Sequence, residues 1–198
     1  RGNGQKSTQQ RVALVIRKGV KYQKVGGFKE LALDKDGLRY GLTAKIIFGK
    51  ETLEVMCVHL KSGCFVDDYS TSTRLACETF EQQVPILDAW VEARIKENRP
   101  FVLLGDFNHR IANPDNKLWK DLTEIDGEPV VIGNSMKELK GCHPRYPEPI
   151  DHILMGAGAE QWQLEGSQTI YYFPGKTGPM TEEEMLSDHC PIGVTLKL

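Results

Sequence analysis

The chain carries one long helical pattern and no second: between about Thr71 and Glu97, Phe80, Val84, Leu87, Val91 and Ile95 recur at three- and four-residue intervals with charges between them. The rest of its apolar sequence comes in short runs. Arg11–Arg17 (RVALVIR), Leu38–Phe48, Thr52–Leu60 (TLEVMCVHL), Pro100–Leu104, Ile150–Met155 (IDHILM), Thr169–Tyr172 and Pro191–Leu196 have the lengths and the bounding residues of strands. One helix among many strands lacks the regular alternation of a doubly wound parallel sheet. It predicts an α/β layered sandwich with mixed sheets. Pro85 lies inside the helical pattern and predicts a kink or a break into two helices. Shorter helices are expected at Asn116–Leu122 and Ser135–Leu139.

The 198 residues, 40% hydrophobic and 26% charged, suffice for a substantial core. With no repeat, linker or low-complexity stretch in sight, 1–198 reads as a single domain. No run approaches the roughly 18 apolar residues of a membrane-spanning helix, and the first ten residues are polar, unlike the apolar region of a signal peptide. The chain starts on Arg1, so an upstream signal peptide or domain is an expectation. The net charge of −2 conceals an uneven distribution, +7 over Arg1–Glu30 and −9 over the remainder. The basic stretch is either a solvated strand and loop or an edge that faces phosphates.

Five cysteines, Cys57, Cys64, Cys77, Cys142 and Cys190, include no C-x-x-C pair. Cys64 and Cys77 flank a polar segment, and a bridge between them would close a loop worth about 3 kcal/mol. Two free thiols in a reducing compartment are the alternative, and the odd count leaves at least one cysteine unpaired in a monomer. Cys–His neighbours such as Cys142 and His143 lack zinc-finger spacing.

Four polar clusters stand at strand ends: His59 after EVMCV, Asp106 and Asn108 after FVLLG, Asp151 at the start of its strand, and Asp188 with His189 before CPIGVTL. Any one of them alone fits a turn. Four together point beyond turns: carboxylates suit a hard cation, a histidine beside a carboxylate suits proton transfer or charge stabilisation, and an amide suits orienting a phosphate or water. Nucleophile-elbow, Walker and dinucleotide motifs are missing.

The segments VHLKSG (Val58–Gly63), LLGDFN (Leu103–Asn108), PIDHIL (Pro149–Leu154) and LSDHCPI (Leu186–Ile192) stand in the order and at roughly the spacing of the endonuclease/exonuclease/phosphatase superfamily, whose members resemble deoxyribonuclease I. The resemblance spans about Arg11 to Leu198. The FVLLGDFNHR context and the Cys64 and Cys77 pair are similar to a bacterial branch common among exported proteins. What it implies is a four-layer sandwich of two mixed β-sheets flanked by helices, and a metal-assisted in-line attack of water on a phosphate ester. Asp106 is then the general acid or base, and Asn108 holds the reacting phosphate or water. Asp151 orients and polarises His189, His59 contacts a phosphate oxygen, and Asp188 binds the divalent ion, Mg²⁺ with Mn²⁺ or Ca²⁺ as substitutes. Lys61 and Arg110 are further candidates for phosphate contact.

One departure stands out. The family places an Asn on its first strand and a metal-binding Glu on the next, both upstream of the region matching Arg11–Arg17, and this chain has neither. Glu30, in GGFKELAL, lies in the wrong context. The expectation is that the N-terminal strands are missing from this chain. The resemblance implies a nuclease acting on nucleic acid, secreted or periplasmic, with a cytoplasmic setting as the alternative; a monomer is expected. A phosphatase or phosphodiesterase for a small or lipid phosphate and a catalytically inactive binding module are the rival readings. His152, beside Asp151 on the same strand, points to the other face and reads as a packed structural histidine. Trp90, Trp119 and Trp162 read as packing residues rather than base-stacking platforms.

Overall fold

The computed structural model describes residues 11–144, 147–172, 181–185 and 187–197. Its strands and helices are, in chain order, β1 (Lys21–Phe28), β2 (Gly41–Phe48), β3 (Glu51–His59), α1 (Leu75–Lys96), β4 (Phe101–Asp106), α2 (Lys117–Leu122), the two-residue strands β5 (Glu124–Ile125) and β6 (Glu128–Pro129), β7 (Ile132–Asn134), β8 (Asp151–Gly156), β9 (Thr169–Ile170) and β10 (Ile192–Gly193). Six strands form one mixed sheet in the order β1-β2-β3-β4-β8-β7. Only β3 and β4 run parallel in it, and α1 is the crossover that a parallel neighbour requires.

Each face of the sheet is covered by something different. Met56, Val58, Phe101, Leu103 and Leu154 pack against Phe80, Val84, Leu87, Trp90 and Val91 of α1. Fully burying a side chain of this kind contributes roughly 1.5–3 kcal/mol. Leu53, Val102, Ile153 and Met155, one residue out of phase, meet Met136, Trp162, Ile170, Ile192 and Val194 on the opposite face. A second, two-stranded sheet of β9 and β10 therefore lies on that face. The fold is mixed α/β, as the sequence predicts; the helix layer expected outside the second sheet is not among the described residues.

Three local expectations need correction, and one strand was not expected. Helix α1 runs unbroken through Pro85, which is exposed, as is Glu81 one turn earlier. The carbonyl deprived of its intrahelical donor can thus bond water. Arg11–Arg17 alternates between half-buried and exposed positions as a strand would, yet it has no strand partner among the described residues. Ser135–Leu139 forms turns rather than a helix. The edge strand β1 was not legible, because KYQKVGGF is almost wholly exposed and has no apolar face to reveal it.

Contacts beyond the sheet fix the loop that follows β3. Gln83 of α1 is fully buried; its side-chain oxygen accepts from Lys61 N at 2.9 Å and its amide nitrogen donates to Leu31 O at 2.7 Å. A disulfide joins Cys64 in this loop to Cys77 in the first turn of α1. Of the two alternatives left open by spacing, the bridge is the one present. Cys57 remains free and buried, its thiol pushed up to about 11 by burial.

Candidate active site

Strand register assembles the site. His59 at the end of β3 is the register partner of Asp106 at the end of β4, and Asp106 is the partner of Asp151 at the start of β8. The three form one row across adjacent strands, in phase with Val55, Val102 and Met155, and so they face away from α1. His152, one residue on, faces the α1 side and is fully buried, its ring bonded to His109 O and Asn134. The segment leading into β10 lies on the same side as the row and brings in His189.

A tight turn presents Asp106. Gly105 has φ +135°, and a Cβ there would run into the Val58 carbonyl, so only glycine lets β4 lie this close to β3. Asn108 adopts a left-handed conformation, φ 53°, which folds it back on the aspartate. Its backbone N–H donates to Asp106 Oδ1 at 2.8 Å, and its amide donates to Asp106 Oδ2 at 3.0 Å and to Leu60 O at 3.2 Å. In this arrangement Asn108 holds Asp106 and ties the ends of β3 and β4 together.

The charges follow from burial and neighbours. Asp106 is pushed up to about 6, first by burial and then by repulsion from Asp151, with His189 opposing. His59 is pushed down to about 4 by burial and by the cationic Arg39 and His189. It is thus neutral near pH 7, and its Nε2 lies 3.2 Å from Asp106 Oδ2 as a close neighbour rather than a charged partner. His189 moves the other way, up to about 9, chiefly because its Nδ1 bonds Asp151 Oδ2 at 2.7 Å. As an imidazolium, His189 directs Nε2–H into a gap: Asp106 Oδ2 lies 3.8 Å away and Asp188 Oδ1 3.9 Å, both beyond hydrogen-bond reach.

His59, Asp106, Asn108, Asp151 and His189 thus meet at one place. Asp188 stands at its rim with 77% of its side chain exposed. Arg110 also lines the opening but is paired with Glu148 at 3.0 Å. Lys61 turns its ammonium onto the Ser62 carbonyl at 2.6 Å. Arg39, at the approach to β2, was missed by sequence reasoning; it acts on both Asp106 and His59. A lone arginine heading an apolar run carries no motif that would have singled it out.

Ligand atoms of Asp106, Asp151 and His189 all lie within 4.8 Å of one another. The Asp151 charge raises the proton affinity of Asp106, and a hard divalent cation is complementary to such a pair of carboxylates. Beside them opens a cavity of about 440 Å³ with an apolar wall of Phe65, Ile150, Ile170 and Ile192.

No curated protein matches the chain in sequence. Its fold resembles a 3′ phosphatase from Neisseria, NExo, solved with a product DNA hairpin, at TM-score 0.55 and 14% identity over 91% of this chain and 71% of that one. It also resembles an AP endonuclease from Archaeoglobus fulgidus (TM-score 0.52, 11% identity, 79% and 65% covered) and the catalytic domain of Xenopus laevis APE2 (0.50, 18%, 84% and 57%). The Endonuclease/Exonuclease/phosphatase family profile matches residues 3–189, nearly the whole chain, and with it goes hydrolysis of the phosphoesterase and nuclease type. The chain belongs to the endonuclease/exonuclease/phosphatase family.

Proposed function

We propose that the protein hydrolyses phosphodiester bonds of nucleic acid in a reaction that depends on a divalent cation. The observation that carries this reading is the row of His59, Asp106 and Asp151 at one sheet edge, with the His189 imidazolium beside it and a cavity of about 440 Å³ alongside. Asp106, poised near 6, takes the proton of the attacking water, while neutral His59 and Asn108 keep its carboxylate aimed. His189 offers its Nε2 proton to the phosphoryl oxygen on which charge accumulates. Asp151 fixes the ring and keeps it charged. The carboxylates of Asp151 and Asp188 would hold the cation, Mg²⁺ with Mn²⁺ or Ca²⁺ as substitutes, and its chemistry there would be Lewis-acid polarisation of the phosphate.

Lys21 and Lys24 on the exposed edge strand β1 supply positive charge for a phosphate backbone. Two disulfides, Cys64–Cys77 and Cys142–Cys190, support a secreted or periplasmic setting. The test compares cleavage of a fluorescent DNA duplex, an RNA strand and p-nitrophenyl phosphate with Mg²⁺ and with excess chelator across a salt series. Nucleic-acid cleavage that disappears with chelator and falls steeply with salt supports the proposal. Cleavage of the small ester alone with a flat salt response favours a phosphatase, binding without turnover favours a binding module, and full activity in chelator sinks the metal role.

A further inference from the structure

The catalytic histidine stands on a segment with almost no regular structure. Residues 187–191 are bends and coil between the short turn at Glu182–Glu184 and the two-residue strand β10. Among the described residues, two hydrogen bonds besides that of the His189 ring reach this stretch. His189 N donates to Ser187 Oγ, a bond internal to the segment, and the Pro191 carbonyl accepts from Tyr171 N. The neighbouring residue Cys190 is disulfide-bonded to Cys142, 48 positions earlier, and both cysteines line the cavity together with Asp151 and His189.

Resting on the function proposed above, we infer that the Cys142–Cys190 bridge positions His189 for catalysis. The Asp151–His189 hydrogen bond needs the imidazole to arrive at 2.7 Å from a carboxylate fixed in the central sheet. Asp151 has less room to meet it, because β8 is paired with β4 from Asp151 to Gly156 and with β7 from Leu154 to Gly156. Most of the adjustment therefore falls on the 187–191 segment, and the bridge removes that freedom at the residue next to the histidine. It anchors the segment to the 141–144 stretch, which is fastened in turn by Gly141 N donating to Pro147 O at 2.6 Å and by Tyr172 Oη donating to Lys140 O at 3.1 Å. Without the bridge, the ring samples orientations in which Nε2 no longer faces the gap beside Asp106. Positioning errors of this kind reduce turnover more than substrate binding.

The two bridges can be opened separately. Cys64 and Cys77 are wholly buried, whereas Cys190 is 6% exposed and Cys142 lines an open cavity. Brief dithiothreitol treatment therefore opens Cys142–Cys190 first: two electrons and two protons pass from the dithiol, which closes to its cyclic disulfide. Peptide mapping identifies the opened pair, and oxidised glutathione accepts the electrons and protons back when the bridge re-forms.

The experiment follows kcat, KM and the downfield proton resonance of His189 Nδ1–H, assigned by its loss in His189→Ala. It uses the intact protein, the selectively reduced protein, the reoxidised protein and the Cys142→Ala/Cys190→Ala variant. Opening the bridge is expected to lower kcat at least about 10-fold with a smaller change in KM, to broaden or abolish the resonance, and to be reversed by reoxidation. The reduced wild-type protein carries the test should the double variant fail to fold. An unchanged kcat and resonance in the bridge-free protein overturns the inference, as does a fall in kcat with the resonance intact. If the intact protein cleaves no phosphate ester, the functional proposal fails by itself and the resonance alone decides the positioning role.

Discussion

Asp151 Oδ2 accepts the Nδ1 proton of His189 at 2.7 Å, joining the first residue of a central strand to a residue 38 positions later on an irregular segment. The carboxylate selects the tautomer and keeps the ring cationic, so the two residues act as one unit. His189→Ala and Asp151→Asn should each lower kcat about 10²- to 10⁴-fold. The double variant should lose little more than the worse single one. Additive losses in a double-mutant cycle would show that the pair does not act together.

The titrations of Asp106 and His189 set the expected pH dependence. Asp106 must be deprotonated to act as a base and is poised at about 6; His189 must be protonated and is poised at about 9. kcat/KM should therefore rise through about pH 6 and fall through about pH 9. His189→Gln should remove the alkaline limb, and Asp106→Asn should leave less than about one hundredth of the activity. An alkaline limb that persists in His189→Gln would assign it to another group.

Buried histidines set the acid limit of stability. Burial pushes His109 and His152 down to about 4 from the 6.5 of the free side chain. Between those two values the unfolded chain binds more protons than the folded one, so stability falls as pH drops, by at most about 3 kcal/mol for each. His189 contributes with the opposite sign: its stabilisation is complete below 6.5 and is lost as pH rises through about 9. Urea unfolding midpoints should thus be highest near pH 6.5 and decline on both sides, the acid decline being offset in part by Asp106 and Asp88, whose carboxyls burial pushes up to about 6. The His109 ring stacks on Phe80 at 3.7 Å, and neither of its nitrogens has a partner among the described residues. His109→Phe should therefore keep its stability at pH 7 within about 1 kcal/mol and flatten the acid decline. An acid decline as steep as that of the parent would rule out His109 as a source.

Removing the other bridge tests stability rather than chemistry. Cys64–Cys77 closes a 13-residue separation at the start of α1, and the Cys64→Ala/Cys77→Ala variant should be less stable by about 3 kcal/mol in urea under non-reducing conditions. A loss below about 0.5 kcal/mol would mean that the buried Gln83 contacts and the α1 packing already hold the loop in the unbridged chain.

Much of this protein could be read along the chain, because local pattern records which residues are to be buried and where an apolar run ends in a polar group. The helix over α1, most strands of the central sheet, and the strand-end residues His59, Asp106, Asn108, Asp151 and His189 all follow from such patterns. Register does not, since it is settled by packing between distant segments. Tertiary structure alone decided that His59, Asp106 and Asp151 fall in one row facing away from α1, that Arg39 influences two of them, and that Cys142 joins Cys190 beside His189. Pairing likewise turned KYQKVGGF into strand β1, although nothing in its own pattern asks for burial, and left RVALVIR without a strand partner among the described residues. A residue's side-chain chemistry is intrinsic to the sequence, but its pKa, its orientation and its partners depend on groups that only the folded chain brings within a few ångströms.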